Sequence, residues 1–199
     1  MSTINTAAVD LFVAKAKPVT IQIKEVSSLS EALTLTLEIC EQKPLGKLML
    51  PVKDPDAPRK KTLAAPALAA ESWDYLVKEG EKKGFEMIRD NLRQYLAGID
   101  VAFSVATMGI ADTATSVLES LSEDERLATM ICETHVVALP KSKIVSDSYE
   151  AESYLRASMT KDRNFIAFVS GPSRTADIER VLTLGVHGPL ELFVALINE

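Results

Sequence analysis

Apolar and polar positions alternate along this chain in two periods, and the two periods trade places several times. Helical spacing puts Ile4, Ala8, Leu11 and Phe12 on one side of residues 4–16, and Pro18 stops that helix. It reads as a docking helix, packed on the domain or on another subunit. Residues 21–26 alternate apolar and polar as a short strand does. Ser28 with Glu31 three residues on is a capping-box pattern, so a helix is expected over about 29–42, ended by Pro44 and Gly46. The LTLTLEIC run inside it also fits a strand by alternation; the cap and the length decide for helix.

Residues 47–50 read as a short buried strand. Residues 51–66 carry Pro51, Pro55, Pro58 and Pro66 with Arg59, Lys60 and Lys61 between them, a density of proline that breaks helix and sheet alike. This reads as a proline-rich loop or extended arm within one domain. Residues 71–83 place Trp73, Leu76, Val77 and Gly80 on one helical face, and Gly84 ends that helix. A strand over 85–88, a short helix over 91–97 and a strand over 99–105 follow, the last apolar enough to be covered on both faces. Residues 107–118 are rich in small and hydroxyl side chains and read as a tight connection. Ser122 and Glu125 repeat the capping box before a short helix. Residues 134–139 read as a strand closed by Pro140, 148–159 as a helix, and 165–169 as a buried strand. A polar turn, a short helix from about 176, a Gly-Val-His-Gly-Pro corner and a last apolar strand complete the chain.

Strands thus alternate with helices, which argues for an α/β fold with a mostly parallel sheet covered by helices. At 199 residues one domain spanning 1–199 is expected, with core enough to fold without staples. A net charge of −6 disfavours a nucleic-acid binder, which shows a basic face. No apolar run approaches the ~20 residues of a membrane span, and the N-terminus lacks the basic start of a signal peptide. A cytoplasmic protein is the expectation. Cys40 and Cys132 are far apart and belong to no C-x-x-C pair, so they are expected to be buried thiols, and this chain alone cannot ligate a four-cysteine cluster.

Candidate chemistry sits in two loops. The strand at 165–169 runs into Ser170-Gly171-Pro172-Ser173-Arg174-Thr175, where a helix N-terminus could attract an anion. Gly171 permits close backbone approach, Ser173 and Thr175 can cap or contact a ligand, and Arg174 can grip a carboxylate or phosphate. The plainer alternative is that both hydroxyls only cap and Arg174 pairs with Asp177. His187, in the Gly-Val-His-Gly-Pro corner, could donate a proton, touch an anion or ligate a metal, or serve only the turn. Asp112, in the 109–115 loop, is the best-placed carboxylate for a base, or else shapes its own turn. His135 falls inside an apolar strand and reads as a hydrogen-bonded core histidine. Two histidines without H-x-x-x-H spacing point to no metal centre.

Three segments together resemble the lactate utilization protein C family, the LUD-domain proteins: GIADTATSVLES at 109–120, FVSGPSRTADIERVLTLGVHGP at 168–189, and the final strand LELFVALI. The chain departs from the family pattern with Asp112 in place of a common Glu and Ala114 in place of a common Gly. The resemblance implies a three-layer α/β/α domain similar to the sugar-phosphate isomerase and CoA-transferase group. It implies a role in bacterial oxidation of L-lactate to pyruvate, beside partner proteins that carry the iron–sulfur clusters, with no cofactor in this chain. By position its signature residues are Asp112, Thr113 and Thr115 in the first loop. In the second they are Gly171, Pro172, Ser173, Arg174, Thr175 and Asp177, then His187 and Gly188. Of these, Asp112 and His187 are the catalytic candidates; Thr113, Thr115, Gly171, Ser173, Arg174 and Thr175 are the candidates for holding a small anionic ligand. A free-standing enzyme acting on a sugar phosphate or CoA ester, a purely structural scaffold, and assembly into a homo-oligomer are the alternatives that stay open.

Overall fold

The computed structural model describes residues 4–48, 50–51, 54, 57–161, 164–175, 183–184 and 188–199. Its centre is a six-stranded sheet in which every neighbouring pair is parallel. Across the sheet run β1 (Gln22–Val26), β12 (Glu191–Ile197), β7 (Cys132–Pro140), β4 (Ile99–Val105), β2 (Thr62–Ala64) and β3 (Glu86–Ile88). β4, β7 and β12 are buried along nearly their whole length, as strands covered on both faces must be.

One face carries α2 (Leu29–Gln42) and α3 (Ala70–Lys82), packed on Val101, Phe103, Val136, Phe193 and Ile197. α2 buries Ala32, Leu33, Thr36, Leu37 and Cys40, a helical stripe that the alternating LTLTLEIC run conceals. The other face carries α1 (Thr6–Ala16) and α4 (Glu123–Ile131). The three-layer arrangement expected from the sequence is therefore present.

Both capping boxes form. Ser28 Oγ accepts from Glu31 N, and the Glu31 carboxylate reaches back to the amide and hydroxyl of Ser27, which pulls its pKa below the usual range. Ser122 Oγ accepts from Glu125 N, and Glu125 accepts from Leu121 N. α1 docks on the sheet through Ala8, Val9, Phe12 and Ala16; Ile4 and Leu11, expected on the same face, are exposed.

A second, four-stranded sheet was not legible beforehand. β8 (Ile144–Val145), β5 (Met108–Ile110), β6 (Thr115–Ser120) and β9 (Phe165–Val169) lie in that order. Residues 107–118, read as a bare connection, thus supply two strands. β9 belongs to this sheet and not to the parallel one. It is an edge strand with no buried residue, Phe165 being 47% and Phe168 54% exposed, whereas a buried strand was expected. Its partners explain the difference: it pairs only with β6 among the described residues, and α5 (Glu152–Met159) covers Ile166 from one side.

Other expectations are corrected as well. Residues 47, 48 and 50 form no strand. The arm expected over 51–66 contains β2, whose three residues are all buried. The helix expected over 91–97 is a 3-10 turn, Leu92–Tyr95, and that over 148–159 begins only at Glu152. The helix expected from 176 lies outside the described residues. Among the described residues no helix is long and apolar enough to cross a membrane.

Candidate functional site

The antiparallel pairing of β6 with β9 sets Ser116 against Val169. The residues just outside that pair, Thr115 and Ser170, are therefore neighbours, and the two candidate loops meet. Thr115 Oγ1 lies 2.6 Å from Ser170 Oγ and 2.7 Å from Thr113 Oγ1. The central hydroxyl of Thr115 is buried, and the outer residues Thr113 and Ser170 are both exposed. Ala114, between the two threonines, is fully buried with φ of 50°, and its amide bonds back to Ala111 O.

The 170–174 loop rests on the turn between α1 and β1. Gly171 has φ of 121°, and a Cβ added to it would lie 2.7 Å from Val19 O. Arg174 donates through Nη2 to Thr20 Oγ1. Ser173 N donates to Pro189 O at 2.8 Å, and a Cβ on Gly188 would sit 3.4 Å from Ser173 Cβ. Gly171, Ser173, Arg174 and Gly188 are thus brought together, and Thr115 joins them through Ser170.

Arg174 and Thr175 form β10, a two-residue antiparallel ladder with β11 (Thr183–Leu184). At these two residues the backbone is extended, so neither offers helix-terminal amides to an anion. Asp177, the alternative partner of Arg174, lies outside the described residues, and so does His187. Asp112 is exposed; its amide donates to Ser146 O at 3.1 Å, and it makes no ion pair with Arg174.

The position of the cluster is a correction too. The turn at 17–20 leads into β1 and the corner at 188–189 into β12, so the cluster lies at the amino-terminal edge of the parallel sheet. In open α/β sheets a ligand loop after a strand lies beyond the carboxyl ends, the place expected for a loop that follows residues 165–169. That rule does not apply to β9, which is not a strand of the parallel sheet.

Along the same edge, under Gly188, is a cavity of about 130 Å³ lined by the starts of β4 and β7, by Lys47, Arg59, Asp100, Glu133 and Leu190 among others. Asp100, 6% exposed, is its organiser. It accepts from Gly46 N at 2.7 Å, from Thr62 N at 2.8 Å, from the Thr62 hydroxyl at 2.7 Å and from Arg59 at 3.4 Å. Arg59 also donates to Gly46 O. Glu133 accepts from Lys47 N at 3.2 Å. Gly46 is wedged between the two carboxylates: a Cβ there would lie 2.4 Å from Glu133 Oε2 and 2.9 Å from Asp100 Oδ1. Two acidic side chains at the amino edge thereby clasp both ends of the proline-rich segment.

None of Gly46, Lys47, Arg59, Asp100 or Glu133 was a site candidate from the sequence, where Gly46 marked a helix end and Arg59 belonged to a basic trio in the proline-rich segment. One signal was available: Asp100 is the lone charge in the apolar run GIDVAFSV, and a buried carboxylate must find partners.

His135 is fully buried, with Nε2 3.0 Å from Ser104 Oγ, and burial lowers its pKa to about 4. It is the core histidine the sequence suggested. Cys40 and Cys132 sit in different core clusters, and burial pushes both thiols up to about 12.

The LUD domain family model matches residues 9–197. This chain belongs to the LUD domain family. Relatives include lactate utilization protein C of Geobacillus thermodenitrificans (strain NG80-2), 30% identical over 158 residues, 75% of this chain and 63% of that protein. The protein of the same name from Bacillus subtilis (strain 168) is 29% identical over 159 residues, with the same coverage. That from Macrococcus caseolyticus (strain JCSC5402) is 32% identical over 130 residues, 64% of this chain and 52% of that protein. The chain thus spans about half to 63% of the length of such relatives. The crystal structure of a DUF162 family protein from Deinococcus radiodurans has the same fold, with a TM-score of 0.64 at 18% identity over 97% of this chain and 98% of that one.

Proposed function

We propose that this LUD domain protein is a cytoplasmic subunit of a bacterial system that oxidises L-lactate to pyruvate. The observation that carries the reading is the family match over residues 9–197, together with relatives named lactate utilization protein C. In this reading the protein acts beside partner subunits that hold iron–sulfur clusters and move the electrons. Its own two thiols, buried in separate clusters and raised to about 12, are unsuited to ligating a cluster. The meeting of the 109–115 and 170–174 loops through Thr115 and Ser170 gathers Thr113, Thr115, Ser173 and Arg174 at the amino edge of the sheet, beside the cavity under Gly188.

The test is a deletion strain grown on L-lactate as sole carbon source. Restored growth by this chain, together with recovery of iron–sulfur proteins on a tagged copy purified from that strain, is the expected outcome. Growth restored without any iron–sulfur partner would favour a free-standing enzyme, and no restoration would remove the lactate role.

A further inference from the structure

We propose that the cavity at the amino-terminal edge of the parallel sheet binds a short 2-hydroxycarboxylate, held between Glu133, Lys47 and Arg59. The proposal rests on the lactate reading and gives it a place in the fold. The cavity measures about 130 Å³. An apolar protein cavity of ~150 Å³ holds benzene, which has about six heavy atoms, and a three-carbon hydroxy acid has about as many. The size therefore suits such a molecule.

The lining chemistry narrows the class. Asp100 is spent: its oxygens take the amides of Gly46 and Thr62, the Thr62 hydroxyl and Arg59. Glu133 is not. Oε2 accepts from Lys47 N, and Oε1 has no partner among the described residues. A carboxylate oxygen at the wall of a small cavity favours a ligand with a hydroxyl to donate. On the cationic side, the Lys47 ammonium makes no ion pair among the described residues, and Arg59 keeps N–H donors beyond those given to Asp100 and Gly46 O. These suit a ligand carboxylate. Ile131 and Leu190 supply apolar wall for a methyl group. Hydroxyl, carboxylate and methyl are the three substituents of a short 2-hydroxy acid. Gly188, a residue of the family signature, forms part of the same wall.

The experiment is calorimetric titration of the purified chain with sodium L-lactate, beside propionate, which lacks the hydroxyl, and 1-propanol, which lacks the carboxylate. Saturable lactate binding is expected, at least fivefold tighter than either analogue. Glu133→Gln, which keeps the shape and removes the charge, should weaken lactate about fivefold or more. Leu190→Trp and Ile131→Phe fill the cavity from two sides; whichever of them remains folded by circular dichroism should lose lactate binding. Absence of saturable lactate binding by the wild-type chain, equal binding of propionate, or lactate binding unchanged in a folded cavity-filled variant would each overturn the proposal. Growth separates the two readings. A cavity-filled variant that still supports growth on lactate would sink the site and leave the role. Failure of the wild-type chain to restore growth would sink the role, whatever the titration shows.

Discussion

Arg174 donates to the hydroxyl of Thr20, 154 residues earlier in the chain, and Thr20 holds a φ of 58° to receive it. Thr20 is the left-handed residue that ends α1: its amide bonds to Lys17 O and the amide of Ile21 to Ala16 O, the two bonds of a Schellman motif. Glycine is usual at that position, and a β-branched residue there is strained. Thr20→Gly should therefore raise stability by about 1 kcal/mol, the relief of left-handed strain less the entropy glycine adds to the unfolded chain. It should also release Arg174. Urea unfolding reads the first effect, and faster hydrogen exchange across 170–175 reads the second. A variant that is both more stable and impaired in lactate-dependent growth would show that the strain is retained for the loop it positions.

Gly171→Ala should cost at least about 2 kcal/mol. The added methyl meets a backbone oxygen, Val19 O, which cannot swing aside, and φ of 121° is unfavourable for any L side chain. Ala at 171 should lower the denaturation midpoint while leaving its urea dependence unchanged. Gly46→Ala presents the contrasting case: the nearest atoms are carboxylate tips, and Glu133 can rotate away. Its expected signature is a weakened hold on the proline-rich segment, seen as faster limited proteolysis within 46–61, and a smaller loss of stability.

Asp100→Ala should destabilise by about 3 kcal/mol, because it leaves the Arg59 charge and the amides of Gly46 and Thr62 without their acceptor. Asp100→Asn, which keeps one acceptor oxygen, should cost less. Equal losses in thermal or urea unfolding would show that the carboxylate charge contributes little there.

His135 predicts an acid limb of stability. Its pKa is about 4 in the folded protein against 6.5 unperturbed, because burial disfavours the charged ring. A folded value below the unfolded one means the contribution is fully present above about pH 6.5 and is lost as pH falls toward 4. Integrated over that window it amounts to about 3 kcal/mol. His135→Gln should flatten the stability profile between those limits; an unchanged slope would exclude His135 as its origin.

Local signals in the sequence were reliable where a short-range bond enforces them. Ser28 with Glu31 and Ser122 with Glu125 mark their helix starts because the side chains satisfy amides three or four residues away. β4, β7 and β12 were legible because burial on both faces leaves an apolar run. β2 was hidden inside a proline-dense stretch, since its place in the sheet comes from Asp100, Val101 and Met87, far away in sequence. β9 has the composition of a buried strand, yet only long-range pairing decides which sheet it joins. The same holds for the site. The loops could be named from their residues, and their meeting through Thr115 and Ser170 could not, because it depends on the register of β6 with β9. The cavity was missed for the same reason: Gly46, Asp100 and Glu133 come from three distant segments.

The strand order has a consequence for how the protein is made. β12 follows every other strand of its sheet in the chain yet lies between β1 and β7, with Phe193 beside Gln22 on one side and Val136 on the other. Until Glu191–Ile197 leaves the ribosome, β1 has no strand of the parallel sheet to pair with, and the apolar flank of β7 stands open. The nascent chain therefore carries an unpaired parallel edge until β12 emerges, the state in which chains recruit chaperones or aggregate. Removing β12 should not shave an edge from the sheet but cut β1 off from the four strands that remain.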